Sequence, residues 1–140
     1  MHKLKTKMLY IELVTPEKKI FSGEVQSVWF PGSLSPFQVL PNHAPIVSSL
    51  DAGILKFLDG QNKIVKYAIT GGFVDLHNNK ASIMLEKAVS SDELKLDEAK
   101  LLLEKAKAAI SGAKQSEDKI KAQKELDFAK ACLSILQEDN

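Results

Sequence analysis

Short runs of alternating apolar and polar residues fill the first 87 positions of the chain. In the first run Leu9, Ile11 and Leu13 fall on one face, and Tyr10 and Glu12 fall on the other. This period of two predicts a half-buried β-strand. Turn residues recur about every 8–12 positions, a spacing typical of an antiparallel β-sandwich. The strands predicted in this way are residues 8–14, 20–21, 24–30, 37–40, 46–50, 53–58, 63–69, 72–77 and 80–85.

Glycine, asparagine and proline mark the connections between these strands. Pairs of turn-forming residues predict tight turns, and Asp and Gly in particular suit the αL conformation. These pairs are Ser22-Gly23, Asp59-Gly60 and Asn78-Asn79. Pro31, Pro41 and Pro45 exclude a helix from the region around them, because proline lacks a backbone donor. His43 lies between the last two prolines, so we expect it in a rigid loop of the kind that carries binding residues.

The pattern changes to a helical period after Ser90. Residues 94–140 contain no proline and one glycine, Gly112. Apolar residues repeat there every three or four positions, which predicts two amphipathic helices. Gly112 is expected to end the first helix in the αL conformation, and Ser116 is expected to cap the second. The first apolar seam contains Leu96, Ala99, Leu103, Ala106 and Ile110, and the second contains Ala122, Leu126, Ala129, Leu133 and Leu136, with Phe128, Cys132 and Ile135 beside it.

The predicted fold class is therefore β plus α. An N-terminal antiparallel β-sandwich domain takes residues 1–87, and a C-terminal antiparallel two-helix hairpin takes residues 88–140. Because the seams alternate large residues with alanine, the helices bury little apolar area against each other. Short isolated helices are also marginal in water. We expect a hairpin of low stability that can be docked or released.

Composition excludes several functional classes. The net charge is +1 and all 19 basic residues are lysines. A nucleic-acid surface is therefore not expected, and arginine is absent for bidentate phosphate recognition. Cys132 is the single cysteine, which excludes an internal disulfide and a cysteine-based zinc site. No segment approaches the roughly 20 apolar residues of a membrane span, so we expect a cytoplasmic chain without direct membrane insertion.

His43 is the first candidate for chemistry, but its surroundings favour a contact role. A hydrolase would need a nucleophile near it, and Ser48, Ser49 and Asp51 are close in sequence. No nucleophile signature surrounds these residues. We therefore predict that His43 fixes its turn or contacts a partner, with a small hydrolase as an alternative.

An ordered set of short motifs resembles the epsilon subunit of bacterial rotary (F-type) ATP synthases. The motifs are Phe21-Ser22-Gly23-Glu24-Val25, Pro31-Gly32, Pro41-Asn42-His43-Ala44-Pro45 and Gly71-Gly72-Phe73-Val74, ahead of the helical tail. The resemblance covers nearly the whole chain. It implies a β-sandwich of about ten strands, a helical hairpin and a non-catalytic subunit without a cofactor.

By this resemblance the chain belongs to the central-stalk rotor. It would lie with the gamma subunit between the catalytic head and the membrane c-ring, peripheral to the cytoplasmic face of the bacterial inner membrane. It would couple the c-ring and gamma to ATP synthesis. The helical tail would inhibit ATP hydrolysis and touch the alpha/beta head transiently. The implied c-ring contacts are Ser35, Pro36, Phe37, Asn42 and His43, and the implied regulatory charges of the second helix are Lys119, Lys121, Lys124 and Lys130.

The chain departs from the family pattern in two places. The glycine-containing turn of the family is replaced by Ser35-Pro36-Phe37-Gln38, which implies a more apolar c-ring contact. Some relatives also bind regulatory ATP through an Asp and an Arg on the first helix. The matching residues here are Asp97 and Lys100, and lysine does not replace arginine at such sites. Asp97 and Lys100 are the positions at which regulatory ATP would bind, and the lysine argues against such binding.

Composition leaves one further class open, a stand-alone β-sandwich adaptor that binds an unrelated protein partner. The ordered family motifs favour the rotor subunit over this alternative.

Overall fold

The computed structural model describes residues 8–138. In this part of the chain nine strands precede a 3-10 turn and two α-helices. The strands are β1 (Leu9–Val14), β2 (Lys19–Phe30), β3 (Phe37–Val39), β4 (Ile46–Leu50), β5 (Gly53–Asp59), β6 (Ile64–Ile69), β7 (Gly72–His77), β8 (Lys80–Leu85) and β9 (Ala88–Val89), and the helices are α1 (Leu96–Gly112) and α2 (Ser116–Glu138).

The strands form one continuous hydrogen-bonded sheet that folds over its own core. Its order is β4-β7-β8-β1-β2-β5-β6-β9, and β3 pairs with β2. The first part of β2 pairs with β1, and its last residues pair with β5 and β3. The two halves of the sheet therefore share β2 and enclose one cluster that includes Leu9, Val28, Phe57 and Ile83. The predicted sandwich with a helical tail is confirmed.

Three features of the sheet differ from the sequence prediction. Gly23 does not turn the chain, because it pairs with Ile11 inside the 12-residue strand β2. The pairing of β1 with β8 is parallel, which an all-antiparallel prediction did not contain. A ninth strand, Ala88–Val89, pairs with the end of β6 just beyond the predicted domain boundary. The division at residue 87 remains a prediction.

The predicted hairpin turns form, with one change of detail. Asn78 and Asn79 have φ angles of 50° and 60° between paired His77 and Lys80, the geometry that a type I′ turn requires. In the β5–β6 connection the positive φ falls on Asn62 rather than on the predicted glycine.

The helix ends also differ from the prediction. After α1 the backbone is extended at Ala113, with φ −76°, so Gly112 does not supply an αL cap. Ser116 is already the first residue of α2 rather than its cap. The small members of the predicted seams are nevertheless buried, since Ala99, Ala106, Ala122 and Ala129 are each at most 4% exposed.

Helix α2 holds the hairpin on the sandwich. It packs on β5 and β6, whereas α1 packs mainly on α2. The docking residues are the ones beside the predicted seam, Phe128, Cys132 and Ile135, which form a second buried cluster with Ala68 of β6. The hairpin therefore has a small apolar interface of its own, separate from the main core.

Candidate functional site

The loop that follows β2 is fastened to the end of β4. Gly32 forms a β-bridge with Leu50, and the Ser33 amide donates to the Ser49 carbonyl at 3.0 Å. The Ser33 hydroxyl also donates to Asp51 at 2.9 Å. A Cβ on Gly32 would lie 2.5 Å from the Ser35 carbonyl oxygen, so this position requires glycine. The loop has a defined shape despite its exposure.

The candidate contact residues of this loop differ in their exposure. Ser35 and Pro36 are exposed. Phe37 is half-buried, and its ring stacks on Phe30 with centroids 5.1 Å apart. The most exposed apolar side chain of the chain's described part is instead Leu34, at 103% relative exposure. Sequence analysis missed Leu34, although an apolar residue inside a Gly-Ser-x-Ser-Pro loop has no strand face to occupy.

The second candidate loop is a proline turn with a single well-defined shape. The His43 amide donates to the Leu40 carbonyl at 3.2 Å, and Asn42 has a φ of 65°. With Pro41 at the preceding position, this is the arrangement of a type II turn. The Nδ1 of His43 lies 2.6 Å from the Ala44 carbonyl oxygen. Because a carbonyl can only accept, Nδ1 carries the proton in this contact.

The two candidate loops do not form one continuous patch. The first is attached beside Leu50 and the second leads directly into Ile46, so they lie at opposite ends of β4. At about 3.3 Å per residue these ends are about 13 Å apart. A partner that touches both loops would have to span the length of this strand.

The loop between β8 and β9 contacts helix α2 through Glu86 and Lys87. Glu86 accepts from Lys124 Nζ at 2.6 Å, and Lys87 Nζ lies 5.5 Å from the centre of the Phe128 ring. Behind them, burial raises the pKa of the Cys132 thiol to about 11, although Lys87 acts in the opposite direction. The thiol is therefore protonated and shielded while the hairpin is docked.

The linker into the hairpin is held by a capping box. Glu93 accepts from the Ser90 amide at 3.0 Å and from the Ser90 hydroxyl at 3.2 Å. Burial, followed by the charges of Glu93 and Asp92, raises the pKa of Tyr67 in β6. The 3-10 turn Ser91–Glu93, which carries Asp92 and Glu93, thus lies beside the sandwich.

The four candidate regulatory lysines have different surroundings. Lys119, Lys121 and Lys130 are exposed on α2. Lys124 is engaged with Glu86, so part of its charge is used to hold the docked hairpin. Lys121 and Lys124 also line a cleft of about 530 Å³ between the hairpin and the sandwich.

The candidate ATP residues lie elsewhere. Asp97 and Lys100 are both exposed on the first turns of α1, and neither lines this cleft. The Asp97 carboxylate accepts from the Glu98 amide at 3.1 Å. This exposed pair gives a nucleotide no enclosure, and ATP binding there remains a prediction.

An apolar stripe crosses the outer face of the sheet. It consists of Val14, Val47, Phe73 and Met84, and we call these four residues the outer stripe. Phe73 pairs with Met84, and Met84 pairs with Val14. Val47, Phe73 and Met84 are 61%, 39% and 47% exposed. Val47 pairs with Asp75, so it lies diagonally from Phe73 on the same face. Exposed apolar residues grouped on one face are typical of a protein interface.

In residues 8–138 we find no group of His, Cys, Asp and Glu that could hold a metal ion. Within the same residues no helix is long and apolar enough to cross a membrane.

The architecture is that of a β-sandwich with a docked helical hairpin, which presents shaped loops and an apolar outer face to other proteins. Residues 8–91 match the family model for the β-sandwich domain of the ATP synthase delta/epsilon chain. The chain therefore belongs to the epsilon-chain family of ATP synthases, and it is a non-catalytic stalk subunit of such a rotary enzyme.

Relatives agree with this assignment, and a solved structure shares the fold. The ATP synthase epsilon chain of Geobacter metallireducens is 36% identical over 82% of this chain and 83% of its own length. That of Nitratidesulfovibrio vulgaris is 31% identical over 92% and 96%. A chain in the Euglena gracilis mitochondrial ATP synthase structure of OSCP, F1 and c-ring has a TM-score of 0.81 at 21% identity, covering 96% of this chain and 84% of that one. This last likeness concerns the fold.

Proposed function

We propose that this subunit couples the c-ring and the gamma subunit to ATP synthesis, and that its helical hairpin inhibits ATP hydrolysis. The outer stripe carries the first part of the proposal. A stalk subunit has to be fixed to a neighbouring rotor protein, and Val47, Phe73 and Met84 offer it an apolar surface. We assign this surface to the gamma subunit.

The loop around Leu34 is the best-supported c-ring contact. Its backbone is fastened to β4, so little ordering entropy is lost when it binds. Its exposed residues are Ser33, Leu34, Ser35 and Pro36, and none of them is charged. This supports a mainly apolar contact. Phe37 supports the loop from inside through its stacking on Phe30.

The hairpin has the properties that a movable inhibitor needs. Its docking cluster is small and separate from the main core, and the Lys124–Glu86 ion pair beside it is solvent-exposed. Exposed pairs contribute about 0.2–1 kcal/mol. Release would leave the sandwich core intact and free Lys124 from Glu86. Lys124 could then join the exposed Lys119, Lys121 and Lys130 in transient contact with the alpha/beta head. The complex would place the subunit at the cytoplasmic face of the bacterial inner membrane.

A binding experiment with matched lysine substitutions tests the rotor assignment. Phe73→Lys should weaken binding to purified gamma subunit by more than about tenfold, because an unpaired charge would be buried in the contact. Ile64→Lys is the matched control, since Ile64 is 55% exposed on β6, away from the outer stripe. Thermal unfolding should be similar for both variants. Equal gamma binding by the two variants would contradict the assignment, and failure of the unaltered chain to bind gamma would favour the stand-alone adaptor.

A further inference from the structure

Asn79 connects three separate segments at one end of the sandwich. Its side-chain Oδ1 accepts from the Asn42 amide at 2.8 Å, and its Nδ2 donates to the Met8 carbonyl at 2.7 Å. Its own carbonyl accepts from the Tyr10 amide at 3.1 Å. One residue of the β7–β8 turn therefore joins that turn to the start of β1 and to the loop that carries His43.

The orientation of the Asn79 side chain is fixed by its partners. A backbone amide can only donate and a backbone carbonyl can only accept. With Asn42 on one side and Met8 on the other, the carboxamide satisfies both in a single orientation. This removes the usual ambiguity between the oxygen and nitrogen of an asparagine.

The bond from the Asn42 amide to Asn79 lies beside the closing bond of the proline turn. In the turn from Leu40 to His43 the closing hydrogen bond uses the His43 amide. The amide of Asn42, at the third turn position, donates to the Asn79 side chain. The φ of 65° at Asn42 is costly for a side chain other than glycine or asparagine. The Asn79 carboxamide meets this amide and thereby stabilises the αL conformation that sets the direction of His43.

We infer that Asn79 is a positioning residue for the loop of residues 41–45, which it holds in the shape that contacts the rotor partner. This inference rests on the proposed coupling function and on the c-ring contact role that the family resemblance implies for Asn42 and His43. The Leu34 loop is held by Gly32 and Ser33 at the other end of β4, about 13 Å away. The bond from Asn79 fastens the loop of residues 41–45 at its own end of the strand.

Three variants separate the effect of the Asn79 side chain from the effect of the turn that carries it. Asn79→Gly removes the carboxamide but keeps a residue that favours positive φ, and Asn-Gly is the preferred type I′ pair. Asn79→Asp keeps an oxygen acceptor for the Asn42 amide and loses the donor to Met8. Asn78→Gly is the matched control, since Asn78 is the exposed other half of the same turn with a φ of 50°.

Hydrogen exchange of the Asn42 amide, measured by NMR on the purified chain, is the first readout. We expect Asn79→Gly to raise its exchange rate about tenfold, the effect of one lost backbone hydrogen bond. Asn79→Asp and Asn78→Gly should stay near the rate of the unaltered chain. An unchanged rate in Asn79→Gly would overturn the positioning role.

Affinity for a purified complex of gamma subunit and c-ring is the second readout. It should fall by up to about tenfold in Asn79→Gly, because the freed loop must be ordered on binding, and it should recover in Asn79→Asp. Faster exchange with unchanged affinity would overturn the inference that the positioned loop makes the contact. If the unaltered chain does not bind the complex, the proposed function fails, and the exchange readout still decides what Asn79 positions.

Discussion

Truncation of Phe128 should release the hairpin without unfolding the sandwich. Phe128 is 7% exposed and belongs to the docking cluster rather than to the main core. Alanine is a better helix former than phenylalanine, so Phe128→Ala does not weaken α2 itself. The variant therefore acts on the contact between α2 and the sandwich.

The size of the effect follows from the contacts that are lost. Phe→Ala in a core costs about 3–5 kcal/mol, and the lower value applies because the Phe128 ring lies at the edge of a small cluster beside Lys87. A loss of about 3 kcal/mol changes the ratio of released to docked hairpin by about 160-fold. Leu101→Ala is the matched control. Leu101 is 56% exposed on α1, so this substitution also truncates a large apolar side chain but does so outside the contact with the sandwich.

Modification of Cys132 by a thiol reagent reports the released state directly. The thiol is fully buried in the docked hairpin, so at pH 8 its modification rate measures how often the hairpin opens. Phe128→Ala should be modified about 100-fold faster than the unaltered chain, and Leu101→Ala at nearly the unaltered rate. Equal rates for all three proteins would refute the assignment of Phe128 to the docking contact.

Three further predictions concern the thiol, the tail and the loops. Burial raises the pKa of Cys132 from 9.0 to about 11, which favours the protonated thiol in the docked state. The stability that the protonated thiol contributes is therefore complete below pH 9 and is lost as the pH rises towards 11. Urea unfolding at pH 8 and at pH 10.5 would measure this loss. Deletion of residues 96–140 should leave assembly and ATP synthesis intact and raise ATP hydrolysis several-fold, and equal hydrolysis rates with and without the tail would mean that the hairpin is a passive appendage. His43→Ala and Leu34→Asp should lower proton-coupled ATP synthesis in membrane vesicles while thermal unfolding changes by less than about 1 kcal/mol, whereas unchanged coupling in both variants would remove both loops from the contact.

Local signals in the sequence predicted the elements that depend on local chemistry. The Asn78-Asn79 turn formed as expected, because its positive φ angles are a property of the residues themselves. The small residues of both helical seams were also correctly placed inside. Gly23 misled the prediction because glycine marks a turn only when no neighbouring strand pairs across it, and β1 does so here.

Features that depend on distant partners were not predictable in the same way. The parallel pairing of β1 with β8 joins segments about 70 residues apart, and nothing in either segment specifies its direction. Helix α2 carries two adjacent apolar rows, and the choice of Phe128 and Ile135 as the docking row depends on the surface of β6. The candidate contact residues were proposed from motifs. Only the fold shows that Phe37 stacks on Phe30 beneath the loop and that Leu34 is the large apolar side chain that the loop exposes.

The packing of α1 on α2, and of α2 on the sandwich, sets the order in which the tail can fold during synthesis. Helix α1 leaves the ribosome first but finds its main partner only when the 23 residues of α2 have followed. At about 5–20 residues per second this takes about 1–5 s. During that interval the leucines of α1 lack the α2 surface on which α1 packs. Helix α2, which is synthesised last, therefore has to dock before α1 is covered. A pause in translation within α2 would lengthen the time for which a protease or chaperone can reach α1.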